Sequence, residues 1–462
     1  MYALTRAGSP ASPGLRIVLW LAAALMLVVG SLLTLQTARA AATINVTSTA
    51  DGTNPALYAC PATIAMPCTL RLAITTANNT TGDTVAIPAG TYTLTMHQEL
   101  QIRAAMNLVG ADPRTTIIDG DAANTPDARI INVLGTSIDV GISNLTLQHA
   151  SYDGNGGAVY DTSNGTVTLT NDAIVHNTIS NSGALYGAGV FTATEGSTHL
   201  VINRSLIADN HAPHGTDTSS TDYSEGGGLF VGNSANATVT NSTITGNSSD
   251  AGGGIFTNTG NTILVNDTIA GNTAAVLTQE GIGGGGVTDE SSGTTLTNTI
   301  VSGNTNGDCR LWFGVPNGGS ITSGGHNIDG DGTCQLTATG DKPSTNPKLA
   351  ALALNAPGQT STMAIDNTSP AWNTAGAAAC PATDQRGVTR PQGPACDIGA
   401  YELILVVPTP SPSATPALPK AGQSSPSGGA GTGLILVAIA LLLAPLAVGM
   451  ARRRYPDDIR AS

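Results

Sequence analysis

The sequence predicts an all-β fold, a right-handed parallel β-helix. Five segments repeat one order: a Gly-rich stretch, a short apolar strand, a second strand that carries an Asn, and a third short element that ends in another Asn. Charged residues make up only 11% of the chain and aromatic residues 3%, which is typical of stacked repeats rather than of one compact core. No repeat can bury its own apolar side, so neighbouring repeats must stack. The right-handed winding follows from the general rule for parallel crossovers.

The apolar residue that follows the glycines marks each repeat, and successive marks are 31, 39, 26 and 32 residues apart. Stacked Asn side chains at a fixed turn position can hydrogen-bond from one coil to the next. The marks are Val159, Val190, Leu229, Ile255 and Val287; the second strand carries Asn171, Asn203, Asn241, Asn266 and Asn298; the third element ends at Asn177, Asn210, Asn247, Asn272 and Asn304.

A β-sandwich or a chain of small β domains is the alternative fold, because both also have a strand about every 8–12 residues. A sandwich does not repeat the same Asn at the same place, so the repeats favour the β-helix. We expect about eight coils between residues 85 and 305, with a length of roughly 40 Å.

The first 40 residues have the three parts of a secretory signal peptide. Arg6 and Arg16 precede a long apolar run, and the segment ends in the small-x-small sequence Ala38-Arg39-Ala40. We therefore expect cleavage after Ala40, with an uncleaved membrane helix as the alternative.

The other end of the chain predicts a single membrane anchor. Residues 433–450 are apolar and uncharged, which is just long enough to cross a membrane, and a basic tail follows at 451–462. Basic residues stay on the cytoplasmic side, so everything before the span is expected outside the cell, at the cell membrane or the cell wall. Residues 404–432, rich in Pro, Ser and Gly, predict a stalk.

A short motif precedes the span. Leu418, Pro419, Lys420, Ala421 and Gly422 resemble the LPxTG sorting signal, at which sortases cut before they link a protein to the cell wall. Ala421 stands where that family has Thr, so a plain membrane anchor is the alternative. The resemblance implies a sortase and the cell wall as partners, besides the membrane.

The part predicted to lie outside the cell has few charges of mainly one sign. Residues 41–432 contain 11 basic and 29 acidic residues, a formal net charge of −18. This charge argues against nucleic acid and anionic lipid as partners, since both need a basic surface. Six cysteines in an exported chain predict disulfides, and their neighbouring positions predict Cys60–Cys68, Cys309–Cys334 and Cys380–Cys396.

Both ends of a β-helix need covers, because an open end exposes strand edges and the apolar core. Residues 41–84 are the expected N-terminal cap. Within them, CTLRLAITTAN at residues 68–78 predicts a short helix with Leu70, Ala73, Ile74 and Ala77 on one face.

Residues 309–403 are the expected C-terminal cap region. Two strings within it are rich in charge, DQRGVTRP at 384–391 and DIGAYE at 397–402. Pairing between these strings would close the cap, and it would involve Arg386 and Arg390 with Asp384, Asp397 or Glu402.

These strings resemble known families. CTLRLAITTAN resembles the CSLREAIxxAN motif of the CSLREA domain, and DQRGVTRP with DIGAYE resembles the choice-of-anchor Q domain, whose members share a β-helical body but differ in their surface anchors. The Gly-rich and Asn repeats resemble the GGA(I/L/V) and FxxN repeats of polymorphic membrane proteins, which are β-helical adhesins. The resemblances imply that residues 41–403 form one β-helical surface domain.

Pectate-lyase-like β-helices include enzymes that degrade pectin, and pectate lyases need acidic residues that hold calcium and a basic residue that takes a proton. Arg204 is the only Lys or Arg between Arg129 and Arg310, and Gly325-His326 does not match the GHG signature of the hydrolases. We therefore expect no catalytic residue and, apart from calcium, no cofactor.

Two groups of residues are candidates for a metal site. Asn327, Asp329 and Asp331 match the start of a calcium loop, but residue 338 is Ala where an EF-hand has Glu. The other group, in the long insertion after Asn210, combines the imidazole and carboxylate ligands that metals use: His211, His214 and Asp217, with Asp222 and Glu225 further along. The alternatives are a tight Asp/Gly turn and a solvated insertion.

The expected function is display at the cell surface as an adhesin-like or ligand-binding, non-catalytic protein, with a polysaccharide or a surface protein as the partner. The alternatives are a carbohydrate-active lyase or hydrolase on acidic polysaccharide and a passive structural spacer. Trp312 and Trp372 are the only Trp residues in 41–432, which argues against stacking on sugars.

Overall fold

The computed structural model describes residues 40–404, except for gaps at 53–59, 61–66, 122–127, 181–182, 194–198, 215–222, 233, 276–282, 292 and 313–318. The predicted signal peptide, stalk, membrane span, basic tail and sorting-like motif lie outside the described residues. The exceptions are residue 40, the last of the signal peptide, and residue 404, the first of the stalk. Within the described residues, no helix is long and apolar enough to cross a membrane.

The described chain is a parallel β-helix. Each coil passes through three parallel sheets, named sheet I, sheet II and sheet III in the order in which the chain enters them, and each strand pairs with its equivalent in the next coil. This arrangement confirms the predicted all-β, parallel β-helix fold.

The strand bounds show how regular the coils are. Sheet I contains Thr43–Asn45, Asp83–Ile87, Met106–Gly110, Val140–Ser143, Thr166–Thr170, His199–Asn203, Asn236–Thr240, Asn261–Val265, Gly293–Thr297 and Ile321–Gly325. Sheet II contains Gly90–Thr93, Thr116–Asp119, Thr146–Gln148, Ala173–Val175, Leu206–Ala208, Thr243–Thr245, Thr268–Ala270, Ile300–Ser302 and Ile328–Asp329. Sheet III contains Leu100–Ile102, Ile131–Val133, Val159–Asp161, Val190–Ala193, Leu229–Gly232, Ile255–Thr257, Val287–Asp289 and Cys309–Leu311.

Four two-stranded sheets extend the coils or lie beyond them. Three are parallel: Ser151–Asp153 with Thr178–Ser180, Leu185–Tyr186 with Ser224–Glu225, and Ser248–Ser249 with Thr273–Ala274. One is antiparallel, Leu352–Ala353 with Thr362–Met363, and a short 3-10 helix follows at Ala377–Ala379.

Aliphatic columns fill the interior. In sheet III the five residues predicted to mark the repeats pair in register and are fully buried, which confirms the repeat. Eight strands of sheet I lie between residues 83 and 297, in agreement with the predicted coil number. With strands about 4.8 Å apart, the ten strands of sheet I span about 43 Å.

One corner of the β-helix holds a continuous ladder of buried Asn side chains. Asn210 Nδ2 donates to Asn247 Oδ1 at 2.9 Å and to the carbonyl of Ile174 at 2.9 Å. The same pair of bonds recurs in each coil, so the predicted Asn ladder is confirmed. Its members are Asn177, Asn210, Asn247, Asn272 and Asn304.

The other predicted Asn column is confirmed in four coils and wrong in the fifth. Asn171, Asn241, Asn266 and Asn298 all have a φ between 51° and 57°. In the remaining coil Asn203 pairs with Thr170, and Arg204 takes the left-handed place with a φ of 52°. The corner requires a left-handed residue, which Asn favours but which other residues can adopt.

Helix α1, Leu70–Ala77, covers the N-terminal end as predicted. Thr69 caps it, because its side-chain oxygen accepts a hydrogen bond from Leu72 N at 3.2 Å. The four residues predicted to share one face are buried in the main core. The helix therefore shields the apolar interior of the first coil.

The predicted C-terminal cap region has three parts. Residues 309–329 form one more coil with a strand in each sheet. Residues 330–345 cover the end of the β-helix, where Leu336 joins the main core and Lys342 pairs with Ile328. Residues 346–403, named the C-terminal strap, turn back along the outer face of sheet II.

Hydrogen bonds fix the C-terminal strap to successive coils. Gly399 N donates to Asn298 O at 2.8 Å, and Thr243 Oγ1 donates to Gln385 Oε1 at 2.6 Å. Nearer the N-terminus, Gln359 bonds to Asp112 at 3.2 Å. The strap thus bridges coils that are far apart along the axis.

All three predicted disulfides are present. Cys60–Cys68 precedes helix α1, Cys309–Cys334 joins the last strand of sheet III to the end cover, and Cys380–Cys396 lies within the C-terminal strap. No cysteine is left free.

Candidate ligand-binding face

The three outer faces of the β-helix differ in what they offer to a ligand. The C-terminal strap covers sheet II. The middle of sheet I is uncharged and rich in Thr, for example Thr168, Thr238 and Thr295, which stand in its outward row. Among the three sheets, as far as the described residues go, only sheet III carries a row of aromatic rings on its outer face, so it is the candidate face.

A row of rings crosses four coils of sheet III and continues to a Trp. Tyr160, Phe191, Phe230 and Phe256 pair in register, with centroid separations of 4.8, 5.4 and 5.9 Å. Trp312 packs edge-on against Phe256 at 5.5 Å. The three Phe rings are buried, whereas Tyr160 and Trp312 at the two ends are half-exposed.

Further half-exposed rings flank this row. Tyr186 lies 4.7 Å from Phe230, and Tyr223 lies 6.0 Å from Trp312. Together with Tyr152, eight of the eleven Phe, Tyr and Trp residues that the structure describes belong to this one face, named the aromatic face.

The low aromatic content of the chain did not predict that most of the described aromatic residues gather on one face, and the expectation against stacking on sugars stays a prediction. A chain-wide percentage averages over residues that the coils bring together from about 30 positions apart. The sequence held a usable signal: in four of the five repeats an aromatic residue directly follows the apolar marker. A residue after an inward-pointing one in a strand points outward.

The N-terminal end of the aromatic face holds a fixed guanidinium. Arg129 lies between the rings of Tyr152 and Tyr160, 4.0 Å from each centroid. Its Nη1 pairs with Glu99 at 3.2 Å and its Nε donates to the carbonyl of Asn155 at 2.8 Å. These contacts leave Arg129 in one orientation beside the rings.

The other end of the aromatic face is acidic. His214 Nδ1 lies 2.7 Å from a carboxylate oxygen of Asp250, which is buried and also accepts a bond from Ser224 N at 2.9 Å. Burial raises the pKa of Glu225 well above its usual range, and the charges of Glu290 and Asp250 raise it further. Burial also raises the pKa of Glu290.

The predicted metal group in the insertion is only partly assembled. His211 Nδ1 bonds to Ser248 Oγ at 2.6 Å, and burial lowers the pKa of His211. His214 bonds to Asp250 instead, and Asp217 lies outside the described residues. Asp250 comes from the next coil, so the sequence spacing of the insertion could not reveal it.

The predicted calcium group is rearranged. Asp329 and Asp331 do meet, but their third neighbour is Asp308, with carboxylate oxygens of the three residues within 4.8 Å of one another. Asn327 is elsewhere, bonded to Thr299 N at 2.9 Å.

The carboxylates of this group already have protein partners. Asp329 accepts hydrogen bonds from Gly332 N and Cys334 N, both at 2.9 Å, and Asp308 accepts one from Asp331 N at 3.0 Å. Burial raises the pKa of Asp329 to about 6. These bonds account for the group as a turn that positions Cys334.

The charged strings of the C-terminal strap pair as predicted. Arg386 bonds to Asp384 at 2.7 Å and Arg390 to Glu402 at 3.0 Å, and all four side chains are buried. Asp397 lies beside them, and its backbone oxygen accepts from Arg390 at 2.7 Å. This network is enclosed by the strap and is not open to a ligand.

Comparison with known proteins adds little about activity. No protein-family profile matches the chain, and no curated protein is significantly similar to it. Among solved structures, the chain is similar to the crystal structure of pectate lyase Pel9A, with a TM-score of 0.43 and 12% identity, covering 79% of this chain and 97% of that chain. So distant a likeness says nothing of function, and the fold rests on the strand pairing of this chain.

Proposed function

We propose that the protein is a surface-displayed, non-catalytic β-helix protein that binds a glycan along the aromatic face. The observation that supports this proposal is the row from Tyr160 to Trp312, with half-exposed rings at both ends and along its side. Aromatic rings with a few fixed polar groups are the usual lining of ligand sites. An extended row along the axis suits an extended ligand better than a compact one.

The test is a binding screen of the purified protein against a panel of neutral and acidic polysaccharides, by calorimetry. We expect Tyr160→Ala and Trp312→Ala each to weaken binding about tenfold, a loss of about 1.4 kcal/mol. Ile263→Ala, which removes an exposed apolar side chain from sheet I, is the matched control and should bind as the wild type does. Circular dichroism verifies that each variant is folded.

Other outcomes have definite meanings. Binding that survives both aromatic substitutions would place the ligand elsewhere. The absence of any glycan binding would favour a protein partner or the role of a passive structural spacer.

A carbohydrate-active hydrolase or lyase is the second candidate, and the acidic end of the aromatic face favours it. A carboxyl such as Glu225, whose pKa burial raises well above its usual range, is the kind of group that acts as a general acid, and His214 is oriented by Asp250. Release of oligosaccharides from any polymer in the panel, abolished by Glu225→Gln, would replace the binding proposal.

Display at the surface is part of the proposal. The signal-like N-terminus, the apolar stretch 433–450 and the resemblance to choice-of-anchor Q proteins support it. Mass spectrometry of the mature C-terminus distinguishes the two anchors. A chain that ends at Ala421 indicates a sortase, and a chain that keeps residues 422–462 indicates a plain membrane anchor.

A further inference from the structure

A cleft lies at the N-terminal end of the aromatic face, between helix α1 and the first strand of sheet III. Its volume is about 680 Å³, and its lining includes Arg71, His97, Glu99, Arg103, Arg129 and Tyr152. The cleft and the aromatic face share Arg129 and Tyr152, so a ligand that follows the rings reaches the cleft directly.

The charges of the cleft are not all neutralised by the protein. Arg71 is paired through two bonds with Asp51, at 2.7 and 3.0 Å, and Arg129 is paired with Glu99. Arg103 is exposed, donates to Gln101 Oε1 at 2.6 Å, and has no acidic partner among the described residues. One positive charge is therefore left over in a domain whose net charge is strongly negative.

Two polar atoms at the cleft also lack partners. His97 Nδ1 is buried in the cleft lining and Asn132 Oδ1 is buried beside it, and neither has a hydrogen-bond partner in the described part of the chain. Asn132 Nδ2 donates to Glu99 at 2.7 Å, which fixes its amide. Buried polar atoms without partners are unusual, and a ligand hydroxyl, which can donate to Asn132 Oδ1, would supply a missing bond.

We propose that this cleft binds the carboxylate of a single acidic sugar at the end of a glycan whose remaining sugars are neutral and lie on the aromatic face. The proposal rests on the proposed function and specifies its ligand class. Guanidinium groups recognise carboxylates through paired N–H donors. Arg103 is exposed in the cleft lining and has no acidic partner among the described residues, so its guanidinium is the one left to bind a ligand carboxylate.

The opposite end of the aromatic face explains why one acidic sugar fits better than many. Among the described residues Glu225, Asp250 and Glu290 lie there, and they outnumber the basic side chains His214 and Arg310, the latter paired in register with Thr288. A polymer with a carboxylate on every sugar would bring like charges together at that end. A glycan with one terminal carboxylate meets the positive end and leaves the acidic end to uncharged hydroxyls.

The experiment compares three probes on the purified protein by calorimetry: 3′-sialyllactose with one carboxylate, lactose with none, and polygalacturonate with many. We expect sialyllactose to bind at least tenfold more tightly than lactose. It should also bind at least tenfold more tightly than polygalacturonate when the affinity for the polymer is expressed per sugar. Raising the salt concentration should reduce this advantage, because salt screens the attraction between the ligand carboxylate and the arginine side chain.

Arg103→Ala should remove most of the advantage of sialyllactose over lactose. Arg114→Ala is the matched control, since it removes the same charge from an exposed arginine that pairs with Asp112 away from the cleft, and it should leave the advantage intact. Equal affinity for sialyllactose and lactose, an equal effect of the two substitutions, or equally tight binding of polygalacturonate would each overturn the inference.

The result also separates this inference from the proposed function. If neutral glycans bind and Trp312→Ala weakens them, but sialyllactose has no advantage, the cleft inference is wrong and the proposed function stands. If no probe and no panel polymer binds, both are wrong.

Discussion

At the scale of single residues, the Asn ladder shows why one side chain recurs in every coil. An Asn amide has both a carbonyl acceptor and an NH₂ donor, so identical side chains can bond head to tail. Asn247 Oδ1 accepts from Asn210 while its Nδ2 donates to Asn272, and the second N–H of its amide reaches Ile207 O at 3.0 Å. The ladder thereby satisfies buried backbone groups at a corner where Asn210, Asn247 and Asn272 are fully buried.

Asn247→Ala should lower the free energy of unfolding by about 2–3 kcal/mol, because it leaves buried partners in two neighbouring coils unpaired. Urea denaturation measures the change. Asn261→Ala is the control: it removes an exposed Asn–Asn contact to Asn236, 3.1 Å long, and should cost less than about 0.5 kcal/mol. Equal losses of unfolding free energy in the two variants would show that the stabilising effect of the ladder does not depend on its burial.

Buried carboxyls predict how stability depends on pH. Burial raises the pKa of Asp397 to about 6, above its ordinary value of about 3.9. The folded state therefore binds more protons than the unfolded state in this window. The contribution is fully present below about pH 4 and is lost as the pH rises through 6.

Denaturation curves between pH 4 and pH 6.5 test this sign. The wild type should lose stability as the pH rises, and Asp397→Asn should show a smaller slope, whatever its absolute stability. Some slope should remain, because the pKa of Asp329 is also raised to about 6. A wild type whose stability rises across this window would contradict the assignment.

The sequence predicted individual structural residues only where the same residue type recurs at the same place in successive coils. The buried Asn ladder was found because all its members are Asn, whereas Arg204 was missed because its place needs a left-handed backbone and not an amide. Asp308 and Asp250 were missed because each belongs to a different coil from the residues it meets.

At the scale of elements, the C-terminal strap is the least predictable part. Its internal ion pairs follow from the spacing of its charges, but its position does not. The bond from Gln359 to Asp112 joins residues 247 positions apart, and no periodicity in the sequence indicates such a contact. The strap also hides the outer face of sheet II, which leaves sheets I and III for binding.

Arg390→Met should destabilise the protein by about 3–5 kcal/mol, because Glu402 would stay buried without its partner. The side chains of both residues are nearly inaccessible to solvent. Arg114→Ala should destabilise the protein far less, because the Arg114 side chain is exposed and solvent screens its ion pair with Asp112. Thermal or urea denaturation of both variants makes the comparison, and similar losses would mean that the strap network contributes little.

At the scale of the whole molecule, a stack of coils resembles other repeat arrays, in which each unit contacts only its neighbours. Such arrays can lose their terminal repeats first. Here helix α1 covers one end, and Cys309–Cys334 fastens the cover at the other. The strap adds contacts between distant coils, which favours unfolding in one step.

Replacing Cys309 and Cys334 together by Ser should remove about 3 kcal/mol of stability, given the loop that the bridge closes. Hydrogen exchange should then show faster opening in the last coil, residues 309–329, than in the coils near Asn177. The wild type should show no such difference, and uniform acceleration along the variant would argue that the coils already open together.

The route of the C-terminal strap determines how a pulling force would enter the molecule. Residue 404 follows Leu403, whose N–H is bonded to Asp397, so tension on the chain end first reaches the flank of the β-helix. There the load is shared by the Asp384, Arg390 and Glu402 contacts in parallel. A tether attached in this way resists in shear, and coils would not be peeled away one at a time.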